Sequence, residues 1–260
     1  MRVGVLGVGH MGSAMARALA AGHEVLAYDP LPETLAKLTS SSLVKQSTLR
    51  EIAEVCDVLI CVARPADTLA LLAQVNDALP CPKPVLSMAA GITSDKIQTA
   101  CPKGIAVRCM PNMPAQVGLG VTSCSLATHA NEAQRVAIGE LLGAFGSVYW
   151  LPEQLIDAAT ALAGSGPGYV FGFIDWLAGA GAALGLPAEV ALGMAKQTVL
   201  GAATLADRSD KTPGQLCDAV CVPGGTTIAA MNVLLDADAP QAIARALAAA
   251  ANRAGELANP

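Results

Sequence analysis

The sequence predicts a two-part α/β protein: a doubly wound parallel sheet with helices on both faces, followed by an all-helical domain. Three observations carry this. Short apolar strands alternate with helical segments from Val3 to about Met110. A glycine-rich turn, Gly7-Val8-Gly9-His10-Met11-Gly12, joins the first strand to the first helix. After about Leu151 every segment has a helical pattern, and no strong strand candidate remains. The boundary is placed there, giving a sheet domain over 1–151 and a helical domain over 152–260.

In order, Val3-Gly4-Val5-Leu6 reads as a buried strand, and Met11 to Ala21 as an Ala-rich helix stopped by Gly22. Glu24 to Tyr28 is a strand ending at Asp29-Pro30, and Pro32 to Thr39 a helix. Leu43-Val44 suits a short third strand. Thr48 to Val55 reads as a helix, with Thr48 as N-cap and Glu51 at capping-box spacing. Asp57 to Val62, Pro84 to Met88 and Ile105 to Met110 are apolar strands, separated by helices over Ala66–Ala78 and Thr93–Thr99. The helical domain reads as six helices: Leu155–Leu162, Tyr169–Leu184, Ala188–Ala206, Thr212–Val220, Thr226–Leu235 and Pro240–Leu257.

Composition narrows the function classes. The 260 residues are 53% hydrophobic and only 14% charged, so much of the surface is expected to be hidden in a subunit interface. The net charge is −5, with no basic stripe, and aromatics are 3%; a nucleic-acid partner is not expected. Eight cysteines include no C-x-x-C pair and there are three histidines, so no metal site is expected. The cysteines read as buried apolar thiols of a reducing cytoplasm. Met1-Arg2 runs at once into a strand pattern, so no secretory leader is expected. Pro167 to Gly185 is apolar, but Asp175 and five glycines interrupt it; a buried or interface helix is expected there, not a membrane span.

The glycine turn points to a dinucleotide. Gly7 permits the tight turn, Gly9 clears the way for a pyrophosphate, and Gly12 lets the helix approach the strand. Exposed N–H groups at the helix start, from His10 and Met11 onward, meet the phosphates. Asp29 ends the next strand, twenty residues beyond Gly9, where the ribose-binding acid belongs. Its carboxylate suits a 2′-hydroxyl and repels a 2′-phosphate, so NADH is favoured over NADPH. The plainer reading of Asp29-Pro30 is a surface turn. Ala63-Arg64-Pro65, Ala89 and Asn112 follow three further strands, at the carboxyl ends where open α/β sheets bind ligands. Far along the chain, Val222-Pro223-Gly224-Gly225 is a turn leading through Thr226 and Thr227 into a helix. Its free N–H groups suit a carboxylate, and Thr227 offers a hydroxyl to a reacting nitrogen. An ordinary helix cap after a turn is the alternative.

These motifs, with Gly164-Ser165-Gly166-Pro167-Gly168-Tyr169, Ala89-Ala90-Gly91-Ile92-Thr93 and Arg108-Cys109-Met110-Pro111-Asn112, run in an order that resembles the pyrroline-5-carboxylate reductase family over the whole length. The resemblance implies a Rossmann domain and a helical dimerisation domain, assembled as a homodimer or a ring of dimers, with the active site formed between the two kinds of domain. It implies hydride transfer from NAD(P)H to the cyclic imine of 1-pyrroline-5-carboxylate, the last step of proline biosynthesis. Thr227 matches the threonine that hydrogen-bonds the ring nitrogen, and Gly224 to Thr227 the amides that hold the carboxylate. The chain departs from the pattern at four places. Val222 stands where a carboxylate-binding serine is usual, His10 for Asn, Arg64 for Lys, and Met113 for Thr.

Three rivals remain at this point. A reductase of a six-membered or substituted ring would account for Val222. A β-hydroxyacid dehydrogenase would need a lysine on the first long helix of the second domain, and Gly164 to Leu184 contains none. A silent NAD-binding scaffold is countered by the intact Pro-Gly-Gly turn and Thr227.

Overall fold

The computed structural model describes residues 1–39, 43–126 and 131–258. Eight strands form one sheet in the order β3-β2-β1-β4-β5-β6-β7-β8. They are β1 Arg2–Leu6, β2 Glu24–Tyr28, β3 Lys45–Gln46, β4 Val58–Cys61, β5 Pro84–Ser87, β6 Ile105–Met110, β7 Gly120–Leu126 and β8 Gly146–Trp150. The first six run parallel; β7 is antiparallel to β6, and β8 parallel to β7. The order reverses between β1 and β4, the switch point of a Rossmann-type sheet.

Alternation builds the two layers. Along β4, Val58 and Ile60 enter one core, with Val5, Met15 and Leu19, while Leu59 and Cys61 enter the other, with Ile52, Leu72 and Ile97. Near-continuous apolar strands are what a sheet covered on both faces requires. Helices α1 His10–Leu19, α2 Pro32–Thr39, α3 Leu49–Val55, α4 Pro65–Ala78, α5 Ser94–Ala100 and α6 Glu132–Leu142 connect the strands. Their starts follow local chemistry. The Thr48 and Thr93 hydroxyls accept N–H groups three residues on, and Pro65 sits where a missing N–H costs nothing.

Several boundaries differ from the sequence reading. The third strand is Lys45–Gln46, not Leu43-Val44; Val44 is buried just before it, while Leu43 is exposed. α1 ends at Leu19, and Gly22 only closes a turn, donating its N–H to the Leu19 carbonyl at 3.1 Å. Residues β7, α6 and β8 had no sequence assignment. Among the histidines, His129 lies outside the described residues.

The helical part comprises α7 Ile156–Ala159, a π-helical turn over Thr160–Gly164, α8 Gly166–Ala183, α9 Ala188–Arg208, α10 Pro213–Val220, α11 Thr226–Asp236 and α12 Ala239–Ala258. The chain divides into two compact units, 1–165 with 249–260, and 166–248. The division falls beyond Leu151 because residues 153–163 are tied to the sheet. Arg108 on β6, almost fully buried, pairs with Glu153 at 2.8 Å and Asp157 at 2.9 Å, and Asn112 bonds the Ala163 carbonyl.

The second unit buries little by itself. On α8 and α9 only Ala178, Ala191 and Ala195 are buried, and α10 and α11 bury none. Large apolar side chains stand open instead, with Phe171 53%, Trp176 69% and Leu184 88% exposed. Among the described residues, no helix is long and apolar enough to cross a membrane.

Candidate active site

β1 delivers the chain to Gly7 at the carboxyl edge of the sheet. Gly7 has φ +90°, and a Cβ there would lie 3.0 Å from the Ala63 nitrogen. Glycine takes that conformation without strain. A Cβ on Gly12 would collide with the Gly7 carbonyl oxygen, so α1 lies this close to β1 only because residue 12 lacks one. Gly9 faces open space: a Cβ there would meet nothing within 4 Å. No side chain among the described residues caps α1. The first intrahelical donor is Ser13 N–H, bonded to the Gly9 carbonyl at 2.9 Å, which leaves the His10, Met11 and Gly12 N–H groups without helical acceptors. Unmet donors at the positive end of a helix, beside an open approach, fit the pyrophosphate of a dinucleotide. The His10 side chain is exposed beside them, and Met11 packs against the core.

The turn is braced from two sides. Asp29 Oδ2 accepts the Val8 N–H at 2.8 Å, and Asp29 Oδ1 accepts the Leu31 N–H at 2.9 Å. Each carboxylate oxygen keeps accepting capacity for a ribose hydroxyl. Ser13 Oγ donates to the Val8 carbonyl at 2.6 Å. Sequence reasoning selected Asp29 but missed this bracing, and missed Ser13. The signal for Ser13 was a hydroxyl in the first helical turn, within reach of the loop behind it.

Sheet order aligns the other cofactor candidates. β1 neighbours β4, then β5 and β6, so Gly7, Ala63, Ala89 and Asn112 follow the carboxyl ends of consecutive strands. Arg64 is exposed, and its Nε donates to Asp67 Oδ2 at 2.8 Å. Pro65 is the first residue of α4, and Ala89 is buried. Asn112 is buried with its amide turned into the protein. Its Oδ1 accepts the Val121 N–H and its Nδ2 donates to the Ala163 carbonyl, both at 2.9 Å.

The Val222–Thr227 segment belongs to the other compact unit. Gly225 N–H donates to the Val222 carbonyl at 3.0 Å. Pro223 and Gly224, with φ +71° at Gly224, make this a type II turn, whose third position glycine accepts most readily. Gly225 is the N-cap of α11, and no side chain of the described residues caps that helix. The N–H groups of Thr226, Thr227 and Ile228 therefore lack helical acceptors. Thr227 is half-buried in the first turn, and Val222 is exposed. A Cβ on Gly225 would lie 2.8 Å from Val222 Cγ2, so the Val222 side chain lies against the turn.

A switch-point sheet, a glycine turn feeding an uncapped helix, and an acid ending β2 define a nicotinamide-dinucleotide oxidoreductase. Comparison with known proteins supplies the family. The model described as "Pyrroline-5-carboxylate reductase dimerisation" matches residues 153–257, and "NADP oxidoreductase coenzyme F420-dependent" matches 2–91. The pyrroline-5-carboxylate reductase of Arabidopsis thaliana is 36% identical over 267 residues, covering 98% of this chain and 95% of that relative. The solved pyrroline-5-carboxylate reductase of Coxiella burnetii is 30% identical, with TM-score 0.92 over 99% of this chain and 98% of the other. The pyrroline carboxylate reductase of Plasmodium falciparum, solved with NADP bound, is 26% identical, with TM-score 0.87 over 100% of this chain and 98% of the other. The chain belongs to the pyrroline-5-carboxylate reductase family.

Proposed function

We propose that the chain reduces 1-pyrroline-5-carboxylate to L-proline as an NAD(P)H-dependent reductase, the closing step of proline biosynthesis. One observation carries the reading: in a member of this family, α11 opens uncapped from the Val222–Gly225 turn with Thr227 in its first turn. The substrate pairs a carboxylate with a ring nitrogen. The N–H groups of Thr226, Thr227 and Ile228, opening from the turn that Gly224 and Gly225 make, suit the carboxylate. The Thr227 hydroxyl suits the nitrogen.

Bound reduced nicotinamide supplies a hydride to the imine carbon. The chain's own task is to orient and polarise. Thr227 Oγ1 accepts the N–H of the protonated imine, which keeps the ring cationic and the carbon electrophilic until it is reduced. The nitrogen retains its proton as the product amine, so no general base is required. The N–H groups of His10, Met11 and Gly12 hold the pyrophosphate, and Ala63, Arg64, Pro65 and Ala89 line the half of the sheet that takes the nicotinamide.

We infer a preference for NADH. Asp29 places a carboxylate at the end of β2, and the next basic residue along the chain is Lys37. A homodimer, or a ring of dimers, is supported by the apolar faces of α8 and α9, which a second copy would cover. A cytoplasmic location is supported by eight free thiols, five of them buried.

A second reading has its own observation. Val222, lying against the turn in place of a hydroxyl side chain, favours a more apolar or substituted cyclic imine. The test offers 1-pyrroline-5-carboxylate and a six-membered imine with NADH, and 3-hydroxyisobutyrate with NAD. Turnover of the pyrroline supports the first reading; turnover of the larger ring alone supports the second; turnover of the hydroxyacid alone overturns both.

A further inference from the structure

Residues 108, 110 and 112 keep the two-residue spacing of one strand face. All three engage the segment that runs from β8 toward α8. Arg108 holds Glu153 and Asp157. Met110 lies against Gly164, where an added Cβ would come within 3.1 Å of Met110 Cε. Asn112 donates to the Ala163 carbonyl at 2.9 Å.

The Asn112 bond answers a specific deficit. In a continuing helix the Ala163 carbonyl would accept the N–H of residue 167. Residue 167 is proline and has no N–H. The carbonyl is orphaned by its own sequence, in a segment already wound as a π-turn, with Ser165 N–H reaching back to the Thr160 carbonyl at 2.8 Å. Such turns are uncommon and recur at functional sites. Asn112 supplies the missing donor. Its other end accepts the Val121 N–H of β7, so the amide is fixed at both ends.

We propose that Asn112 is a positioning residue for the reduction. By holding the carbonyl that Pro167 orphans, it fixes the Thr160–Gly164 turn as a wall beside the nicotinamide end of the cofactor site. This rests on the functional reading above, because β4 to β6 carry the nicotinamide half of such a sheet. Asn112 acts through the turn and not by gripping the cofactor.

The test is Asn112→Asp, which keeps the acceptor for Val121 N–H and loses the donor to Ala163. Hydrogen exchange of residues 160–165, in protein without cofactor, is expected to speed up by about tenfold or more. The kcat for imine reduction is expected to fall by about 100-fold, as misplacement of a reacting group does. KM for NADH is expected to stay within about threefold, with a larger primary deuterium isotope effect on kcat from NADH labelled at the transferred position. Adding Pro167→Ala returns an N–H to Ala163 and is expected to restore slow exchange. Unchanged exchange, unchanged kcat, or a raised KM with kcat intact overturns the proposal, as does a double variant that exchanges as fast as Asn112→Asp. If Asn112→Asp does not fold, the double variant is expected to fold and exchange slowly, and its failure to do so overturns the proposal. A wild type inactive on every imine brings down the functional reading and this proposal with it. An active wild type beside an unaltered Asn112→Asp brings down the positioning role alone.

Discussion

The Asp29 carboxylate accepts the backbone N–H of Val8 at 2.8 Å, linking the end of β2 to the glycine turn after β1. One side chain thus braces the glycine turn and, on the proposed reading, sets the charge beside the adenosine ribose. Asp29→Ser is expected to move the ratio of kcat/KM for NADH over NADPH toward NADPH by about tenfold or more, roughly 1.4 kcal/mol. It is also expected to raise KM for both cofactors, because Val8 loses its acceptor. Steady-state rates with each cofactor check this. An unchanged ratio would remove Asp29 from cofactor choice.

Thr227 is the residue proposed to meet the reacting nitrogen. Thr227→Ala is expected to lower kcat/KM by roughly 10- to 1000-fold, about 1.4–4 kcal/mol. Thr227→Ser, which keeps the hydroxyl, is expected to retain most activity. Equal losses in the two variants would argue that the methyl group, not the hydroxyl, matters.

Val222 lies against the turn proposed to hold the carboxylate. Val222→Ser adds a hydroxyl there, and one neutral hydrogen bond contributes about 1 kcal/mol, roughly fivefold in KM for 1-pyrroline-5-carboxylate. An increase in KM would show that the valine side chain itself contacts the natural substrate.

Glu153 carries a pH prediction. Burial alone would raise its carboxyl, but the hydrogen bond and charge of Arg108, with help from Ser94, outweigh burial and hold it below the ordinary carboxylate range. A carboxyl lowered by folding stabilises the native state above its unfolded value, near about 4.3. That contribution is lost as pH falls through the folded value. Thermal melts should therefore be insensitive to this pair above about pH 6 and show a fall below about pH 4, which Glu153→Gln makes shallower. Arg108→Leu should cost roughly 3 kcal/mol near neutrality, since it strands two carboxylates that were paired. A melting temperature unchanged by Arg108→Leu would contradict the tie between β6 and the 153–157 segment.

The sequence made β1, β2, β4, β5 and β6 legible because they are apolar and bounded by turn residues, whereas β3 was misplaced because Lys45–Gln46 is two exposed polar residues. The helical ladder was legible from Pro, Gly and Thr caps, as at Thr212-Pro213, where the Thr212 side chain and Gln215 form a capping box. β7 escaped because Thr122, Ser123 and Ser125 are polar yet buried. β8 escaped because it is half-exposed and alternates over five residues. The glycine turn and Pro223-Gly224-Gly225 declared themselves by residue type. What no local pattern gives is long-range pairing: Asp29 to Val8, Arg108 to Glu153, and Asn112 to Ala163 join residues 21, 45 and 51 positions apart.

The central claim is tested most directly by incubating the purified protein with NADH and 1-pyrroline-5-carboxylate and measuring NADH consumed and proline formed. The account predicts saturable turnover with one L-proline formed per NADH oxidised. No NADH oxidation above the protein-free rate, with NADPH equally inert, would contradict it.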